Sequence, residues 1–375
     1  MFNQLTWAEA AQPESNVPRL QRSLWDVFAI RDTRIIQGPD GLVEFRGELT
    51  QPSERAYGTI ETRFRDLGYT PRLYREQQTD VVQAIQGVTD VKPAQVWINV
   101  VLLIATVITT LMAGASISGI IVRSPLTFLQ RPALLLEGVP FAFTLLLILG
   151  VHEMGHYVAG RLHRTAVTLP YFIPVPPFGI LPLGTLGAFI QMRSPIPNRR
   201  ALFDIGVAGP LAGLVVAIGA YVIGLSNATV AHGSGGLSLG RSIFTQFLIG
   251  LFQPEALNPG VGVQLNPVLL AGWLGLFVTV INLLPIGQLD GGHILYAVMG
   301  RRAAWVGLIT IGVLAFLGLR FNATTWLLWG FLGLIFGVRH APALDDITPL
   351  DPARKVLAAI VLIIFVLIFV PIPFR

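Results

Sequence analysis

The sequence predicts a polytopic α-helical membrane protein of about seven spans with a small N-terminal α+β soluble domain. Hydrophobic residues make up 53% of the 375-residue chain and charged residues only 13%, whereas about 25% of a typical soluble protein is charged. Most of the acidic residues precede residue 95, where long apolar runs begin. We therefore predict a cytoplasmic α+β domain over residues 1–94 and a membrane-embedded domain over residues 95–375.

The N-terminal part shows strand and helix patterns in alternation. The segment GLVEFRGELT (residues 41–50) is typical of a strand, PSERAYGTIETRFRDLG (residues 52–68) of an amphipathic helix, and YTPRLYREQ (residues 69–77) of a second strand. Ser53 is a possible N-cap of this helix, and Gly68 is a possible stop signal. The order strand–helix–strand predicts a small α+β or α/β unit.

Seven apolar segments approach the length of about 20 residues that a helix needs to cross a bilayer. The fifth and sixth segments are short and could form a tight hairpin. The segment SIFTQFLIGLF (residues 242–252) is too short to span, so we expect an interfacial or re-entrant helix there. The seven predicted spans are Val96–Ile120, Pro140–Leu162, Phe203–Leu225, Pro267–Pro285, Ala303–Leu319, Thr324–Val338 and Val356–Val370.

Charge and cysteine content limit the function further. Basic residues concentrate in the loops on one side of the predicted spans, as at Arg161, Arg164, Arg199 and Arg200. Because cytoplasmic loops carry an excess of Lys and Arg, this bias predicts a cytoplasmic N-terminus. The net charge of +5 lies scattered beside apolar spans and does not indicate nucleic-acid binding. The chain has no cysteine, so any metal site must use His, Asp or Glu.

The second predicted span contains the motif H-E-x-x-H. His152 and His156 are separated by one helical turn, so both imidazoles can face one metal ion, and Glu153 can reach a water on that metal. Ionisable residues at membrane depth are costly and mark functional sites. A chance match is the competing interpretation, but two histidines and a glutamate rarely fall together inside a span. The motif predicts a zinc hydrolase centre with Glu153 as the general base.

A catalytic zinc needs a third protein ligand, and the segment INLLPIGQLDGGHIL (residues 281–295) offers the best candidates. Asp290 follows a proline-interrupted span end, and we favour it as the ligand. Asp290 is alternatively the N-cap of the following helix, and His293 is the rival ligand. Asn282 lies shortly before the break and could hydrogen-bond to a ligand or to substrate.

Two glycine-rich segments and one histidine complete the candidate features. The segment LPLGTLGAFIQM (residues 181–192) predicts a short hairpin whose edge binds an extended peptide, or alternatively a plain interfacial loop. GVAGPLAG (residues 206–213) places small residues on the third span and predicts close helix packing. His340 with Asp345 and Asp346 is either a second polar site or part of a cytoplasmic loop.

These motifs resemble the site-2 protease family of intramembrane zinc metalloproteases over about residues 140–300. HExxH, GTLGAFIQMRS (residues 184–194), DIGVAGPLAG (residues 204–213) and N-x-x-P-x-x-x-L-D-G-G carry the resemblance. Many family members have N-P-D-G where this chain has QLDG. The N-terminal unit and VRHAPALDD (residues 338–346) are similar to a narrower branch, the cyanobacterial and chloroplast ethylene-dependent gravitropism-deficient and yellow-green proteins.

The resemblance implies that His152, His156 and Asp290 bind one catalytic Zn²⁺, that Glu153 is the catalytic base, and that Asn282 supports the site or holds substrate. It implies regulated proteolysis of single-span or membrane-anchored protein substrates. It also implies a multi-pass protein of a bacterial inner membrane or, for a cyanobacterial protein, of a thylakoid membrane. The first alternative is a transporter that uses the buried His, Asp and Glu as an ion path. A catalytically silent scaffold and a protease that trims anchored ends are the others.

Overall fold

The computed structural model describes residues 13–36, 42–88, 95–120, 126–177, 183–232, 239–338 and 340–374. Residues 89–94, where the predicted boundary between the two parts falls, lie outside the described residues. The N-terminal region consists of α1 (Pro13–Leu24), β1 (Phe28–Ile36), β2 (Leu42–Leu49), α2 (Ser53–Asp66), β3 (Tyr69–Glu76) and β4 (Thr79–Gln86).

The four strands of this region form one antiparallel sheet in the order β1-β2-β4-β3. Alternate residues of β3 are buried, as expected for a strand with one face on a core. The core itself forms because Leu20 and Leu24 of α1 and Ile60 and Phe64 of α2 pack with Phe45 of the sheet, all nearly inaccessible to solvent. The predicted small N-terminal α/β region is therefore present.

Two details of the N-terminal prediction need comment. The predicted strands and helix appear as β2, α2 and β3, and Gly68 follows α2 with a φ of +81°, a conformation that suits glycine at a helix end. Ser53 as an N-cap is wrong, because the helix begins at Ser53 and Pro52 precedes it without a side-chain cap. The Ser53 hydroxyl lies 2.8 Å from the hydroxyl of Thr348 instead.

The membrane part is mostly helical. Its short strands are β5 (Tyr171–Pro174), β6 (Thr185–Phe189), β7 (Val230–His232) and β8 (Val261–Val263), which pair as β5 with β6 and β7 with β8. Its helices are α3 (Val96–Ile117), α4 (Leu126–Gln130), α5 (Val139–Leu162), α6 (Arg199–Ser226), α7 (Ile243–Phe252), α8 (Pro267–Asn282), α9 (Asp290–Met299), α10 (Ala303–Phe321), α11 (Thr324–Phe336) and α12 (Pro352–Ile368).

Within the described residues, four helical segments are long and apolar enough to cross a membrane: Val96–Ile117, Pro132–Leu162, Arg199–Ser226 and Asp290–Phe321. All seven predicted spans contain a helix, but a count of seven is not established. The helices α8, α11 and α12 have 16, 13 and 17 residues, fewer than the ~20 of a usual span. A turn after Asn282 ends α8, and Gly337, with a φ of +80°, follows the end of α11.

Helix α6 organises the membrane part. It is the most buried of the four long helices, and it packs against α5 on one side and α8 on another. Helices α10 and α11 form the predicted tight hairpin, since only Asn322, in the left-handed conformation, and Ala323 separate them. The predicted short helix at residues 242–252 is α7, and the Ser242 hydroxyl caps its N-terminus by accepting the Thr245 N–H.

The N-terminal sheet is joined to the membrane part by a segment from near the C-terminus. The Leu73 N–H of β3 donates to the Leu344 carbonyl at 2.7 Å, and the Asp346 N–H donates to the Leu73 carbonyl at 2.8 Å. On its other side, the Leu344 N–H donates to the Ile196 carbonyl at 3.0 Å, just before α6. Residues 344–346 therefore lie between the edge of the sheet and the start of α6.

Candidate metal centre

Helix α5 carries the H-E-x-x-H motif through the interior of the membrane part. His152, Glu153 and His156 expose only 4%, 6% and 6% of their surfaces. The spacing of one helical turn places the two imidazole rings on the same face of α5. Their Nε2 atoms are 3.1 Å apart, and the ring centroids are 4.8 Å apart. The motif thus aims two nitrogens at one point inside the protein.

Two glycines of α6 make room for these imidazoles. A methyl group at Gly209 would overlap the ring of His156, and one at Gly213 would lie 2.9 Å from the Cβ of His152. Gly209 and Gly213 are one helical turn apart, as are the two histidines, so α6 presents a groove that matches the face of α5. The small residues of GVAGPLAG therefore permit the close helix packing that the sequence predicts.

Asp290 reaches the same point from the N-terminus of α9. Its Oδ2 lies 3.4 Å from Nε2 of His152 and 3.3 Å from Nε2 of His156. Asp290 is the first residue of α9, and Leu289 occupies the N-cap position without a side-chain cap. The carboxylate is therefore turned toward the histidines and does not cap the helix, which removes the alternative interpretation of this residue.

A hydrogen bond orients the imidazole of His156. His156 donates its Nδ1 proton to the Ile205 carbonyl over 2.7 Å, which leaves Nε2 as an acceptor. The Asn282 amide nitrogen lies 3.1 Å from Nε2 of His152, the atom that also faces His156 and Asp290. The two Nε2 lone pairs and the Asp290 carboxylate then converge within 4.8 Å. Three acceptors this close repel one another unless a cation lies between them.

Glu153 lies beside this group without belonging to it. It follows His152 by one position, and its carboxylate interacts with the backbone N–H of Ile190. Ile190 directly follows β6, so the hairpin of β5 and β6 passes next to the carboxylate. Leu186 and Phe189 of β6 are 60% and 48% exposed. The predicted hairpin is therefore present, and it lies beside the candidate base.

The rival ligand His293 is directed elsewhere. Its Nδ1 contacts Nε2 of His340, and the ring of Tyr296 lies 4.8 Å from the ring of His340. The Tyr296 hydroxyl donates to Asp346 over 2.9 Å. His340 and Asp346 thus take part in a second polar cluster. The sequence suggested such a cluster as one of two possibilities, but gave no sign that α9 would supply its other half.

Sequence reasoning also missed the group that orients His156. The Ile205 carbonyl belongs to the backbone of α6, and no side-chain motif encodes such a contact. The segment DIGVAGPLAG does contain Ile205, so the only available signal was that this segment packs on α5. Asn282 contacts His152, and its role in supporting the site or holding substrate stays a prediction.

Two imidazoles and one carboxylate are a donor set that zinc accepts in hydrolytic sites, with a fourth position left for water. The oriented tautomer of His156 and the convergence of three acceptors fit a cation of this kind. Fold and donor set together define a class, namely a membrane protein with a buried His–His–carboxylate metal centre and an adjacent glutamate.

Comparison with known proteins identifies the family. Residues 140–315 match the model of peptidase family M50. This match covers α5, α6, α8 and α9, and thus every residue of the candidate metal centre. The chain therefore carries a peptidase family M50 domain, and the resemblance to site-2 proteases is confirmed. No solved structure matches this chain.

The relatives belong to the narrower branch that the sequence indicated. The chain is 34% identical over 244 residues to "Probable zinc metalloprotease EGY1, chloroplastic" of Arabidopsis thaliana, which covers 62% of this chain and 43% of that protein. It is 32% identical over 249 residues to EGY2 of the same plant, covering 64% and 43%. It is 29% identical over 385 residues to EGY3 of Oryza sativa subsp. indica, covering 92% and 62%. The chain thus spans less than half the length of the EGY1 and EGY2 proteins.

Proposed function

We propose that this protein is an intramembrane zinc metalloprotease that hydrolyses peptide bonds in or near the transmembrane helices of anchored substrates. The observation that carries the proposal is the convergence of His152, His156 and Asp290 within 4.8 Å, deep in the membrane part and beside a buried Glu153. The names of its relatives as zinc metalloproteases support the same activity.

The residues of the site divide the reaction between them. A zinc ion held by His152, His156 and Asp290 would supply Lewis-acid polarisation of a carbonyl and a water acidified toward neutrality. Glu153 would accept the proton of the attacking water and deliver it to the leaving amine. Asn282 would hold His152 or the substrate carbonyl in place.

Substrate binding would use the hairpin of β5 and β6. A helical substrate has its peptide bonds paired internally and must unwind before hydrolysis. Among the described strands, β6 pairs only with β5, which leaves one edge for an extended peptide. The contact between Ile190 and Glu153 would bring a peptide on that edge to the base. An exposed Leu186 and Phe189 would contact apolar substrate side chains.

The membrane arrangement proposed from the sequence goes with this function. The helices α8, α11 and α12 would complete seven spans by crossing a thinned or partly protein-filled bilayer. The N-terminus would be cytoplasmic, and the membrane would be a bacterial inner or thylakoid membrane. The relatives EGY1 and EGY2 are named as chloroplast proteins, which agrees with a photosynthetic membrane. The substrates would be single-span or anchored regulators.

The test is cleavage of a panel of single-span proteins by the purified chain and by Glu153→Gln, in detergent with zinc. We expect the variant to retain zinc and to lose activity by more than ~100-fold, because general-base catalysis contributes about 10²–10⁴. Glu137→Gln is the matched control, since Glu137 is an exposed carboxylate just before α5. A chelator should abolish cleavage by the wild type and by the control.

The outcomes separate the proposal from its alternatives. Cleavage retained in Glu153→Gln would remove that residue as the base. Stoichiometric zinc without cleavage of any substrate in the panel would favour a silent scaffold. Cleavage restricted to anchored ends would indicate a trimming protease. Absence of both zinc and cleavage would favour the transporter, whose ion path would use the same buried residues.

A further inference from the structure

A second cavity, distinct from the metal centre, lies where the N-terminal sheet meets the membrane part. Its volume is about 560 Å³. Strand β3, helix α9, the turn into α10 and the loop that follows α11 all contribute to its wall. Its lining residues are Arg72, Tyr296, Arg301, Ala304, His340 and Pro342. We call this cavity the basic pocket.

Two guanidinium groups converge at the basic pocket from different parts of the chain. Arg72 lies 5.5 Å and Arg301 5.8 Å from the centre of the Tyr74 ring. Among the residues that the structure describes, neither guanidinium has a hydrogen-bond or ion-pair partner. The Nε of Arg72 is buried and lacks an acceptor. A buried donor without an acceptor is costly.

The nearby acids do not neutralise this pair. Asp346 accepts the Tyr296 hydroxyl and lies in the field of Arg199, Arg72 and Arg301 together, so one carboxylate faces three guanidinium groups. Glu44 accepts the hydroxyl of Tyr74 over 2.9 Å. The pocket therefore keeps an excess of positive charge with unused donors, which is the condition for binding an anion.

The apolar side of the pocket continues into a surface suited to lipid. Ala304 lines the pocket in the first turn of α10, and Leu308 lies one turn further along the same helical face. Trp305 and Ile309 beside them are 71% and 66% exposed. A tryptophan at the start of an apolar helix is typical of the membrane–water interface. The basic pocket thus opens at the level where the lipid-facing surface of α10 begins.

We propose that the basic pocket binds the phosphate headgroup of an anionic membrane lipid between Arg72 and Arg301, with the acyl chains along α10. Basic pockets at the cytoplasmic ends of spans are suited to anionic headgroups. Arg72 belongs to the N-terminal sheet, and Arg301 belongs to the turn between α9 and α10. A bound headgroup would therefore join the two parts of the protein by charge-assisted hydrogen bonds to both.

The test is competition between two lipids on the full chain. Detergent-purified protein is incubated with equimolar phosphatidylglycerol and phosphatidylcholine, and retained lipids are measured by native mass spectrometry. We expect the wild type to prefer phosphatidylglycerol, and Arg72→Gln and Arg301→Gln each to retain about tenfold less of it, because each loses a charge-assisted hydrogen bond. Arg302→Gln is the matched control, since Arg302 is exposed beside Arg301 and does not line the pocket.

Each other outcome would overturn the proposal. Equal retention of the two lipids by the wild type would show that charge does not select the ligand. A loss in Arg302→Gln as large as that in Arg301→Gln would show general attraction to a basic surface. A parallel titration with inorganic phosphate identifies a soluble ligand: binding of phosphate that depends on Arg72, without retained lipid, would replace the lipid by a free anion. Arg301 is exposed, so its variant remains informative if Arg72→Gln does not fold.

Discussion

The metal centre and the basic pocket are built in opposite ways. The metal centre takes its donors from two short motifs on α5 and α9, and its geometry follows from helical periodicity. The basic pocket takes Arg72, Arg301 and His340 from segments that no motif connects. A backbone bridge between Leu73 and Asp345 brings these segments together. A site whose residues follow a local spacing can therefore be predicted from the sequence, whereas a site formed by residues far apart in the chain cannot.

The largest predicted effect lies at Asp290, the third candidate ligand of the metal centre. We expect Asp290→Ala to weaken zinc binding by more than ~100-fold, since loss of even an outer contact to a metal ligand costs about 10–100-fold. Zinc content after dialysis against a graded chelator series measures the effect. Asp66→Ala, at the exposed end of α2, should keep the wild-type content. Unchanged zinc in Asp290→Ala would mean that another residue, such as His293, completes the site.

The residues of the metal centre differ in how well the sequence alone predicts them. His152, Glu153 and His156 could be assigned from spacing alone, because one helix fixes their relative positions. The assignment of Asp290 depended on a second segment of the chain. Only its acidic side chain and the proline-interrupted end of the preceding span indicated it. The Ile205 carbonyl could not be foreseen, because every residue has a carbonyl and only the packing of α6 on α5 selects this one.

A smaller effect is expected where α6 supports the ligands without touching the metal. Gly209→Ala would place a methyl group against the ring of His156. Overpacking of this kind costs about 1–3 kcal/mol, so we expect a lower apparent melting temperature and weaker zinc binding. Gly219→Ala is the matched control on the same helix, because a methyl group there meets nothing within 4 Å.

The control separates overpacking from the intrinsic effect of replacing glycine, because alanine in an exposed helical position is favoured over glycine by up to about 1 kcal/mol. Gly219→Ala should therefore equal or exceed the wild type in stability. Equal behaviour of the two variants would show that α6 moves away from α5 without penalty, and that the groove on α6 does not position the histidines.

The fold shows the same division between local and distant information. The strands β2 and β3, the helix α2 and the hairpin of α10 and α11 follow from periodicity and from short turns. The pairing of Leu73 with residues 344–346 cannot be predicted in this way, because an edge strand can pair with any extended segment and no sequence pattern identifies which one. The number of membrane spans could be predicted only in part. Hydropathy located every apolar helix, but it did not fix the residue at which α8 or α11 ends.

The smallest expected effect concerns pH and lies at the basic pocket. Burial lowers the pKa of His340 to about 3, from a usual value of 6.5, and His293 opposes its protonation as well. Tyr296 also faces the ring, and Arg72 and Arg301 line the same cavity. These neighbours include two cations and no carboxylate in contact with the ring, so the folded protein keeps His340 neutral well below neutral pH.

The sign of the effect follows from proton uptake. Below pH 6.5 the unfolded chain protonates His340 while the folded chain does not, so the unfolded state binds more protons and stability falls as pH falls toward about 3. Between about pH 6.5 and about pH 5 this one residue contributes a loss of about 2 kcal/mol. The apparent melting temperature of His340→Gln should therefore decline less over this interval than that of the wild type, whatever its value at neutral pH. Parallel declines would show that the loop carrying His340 opens before the protein unfolds, and that the basic pocket is joined less firmly to the membrane part than the metal centre is.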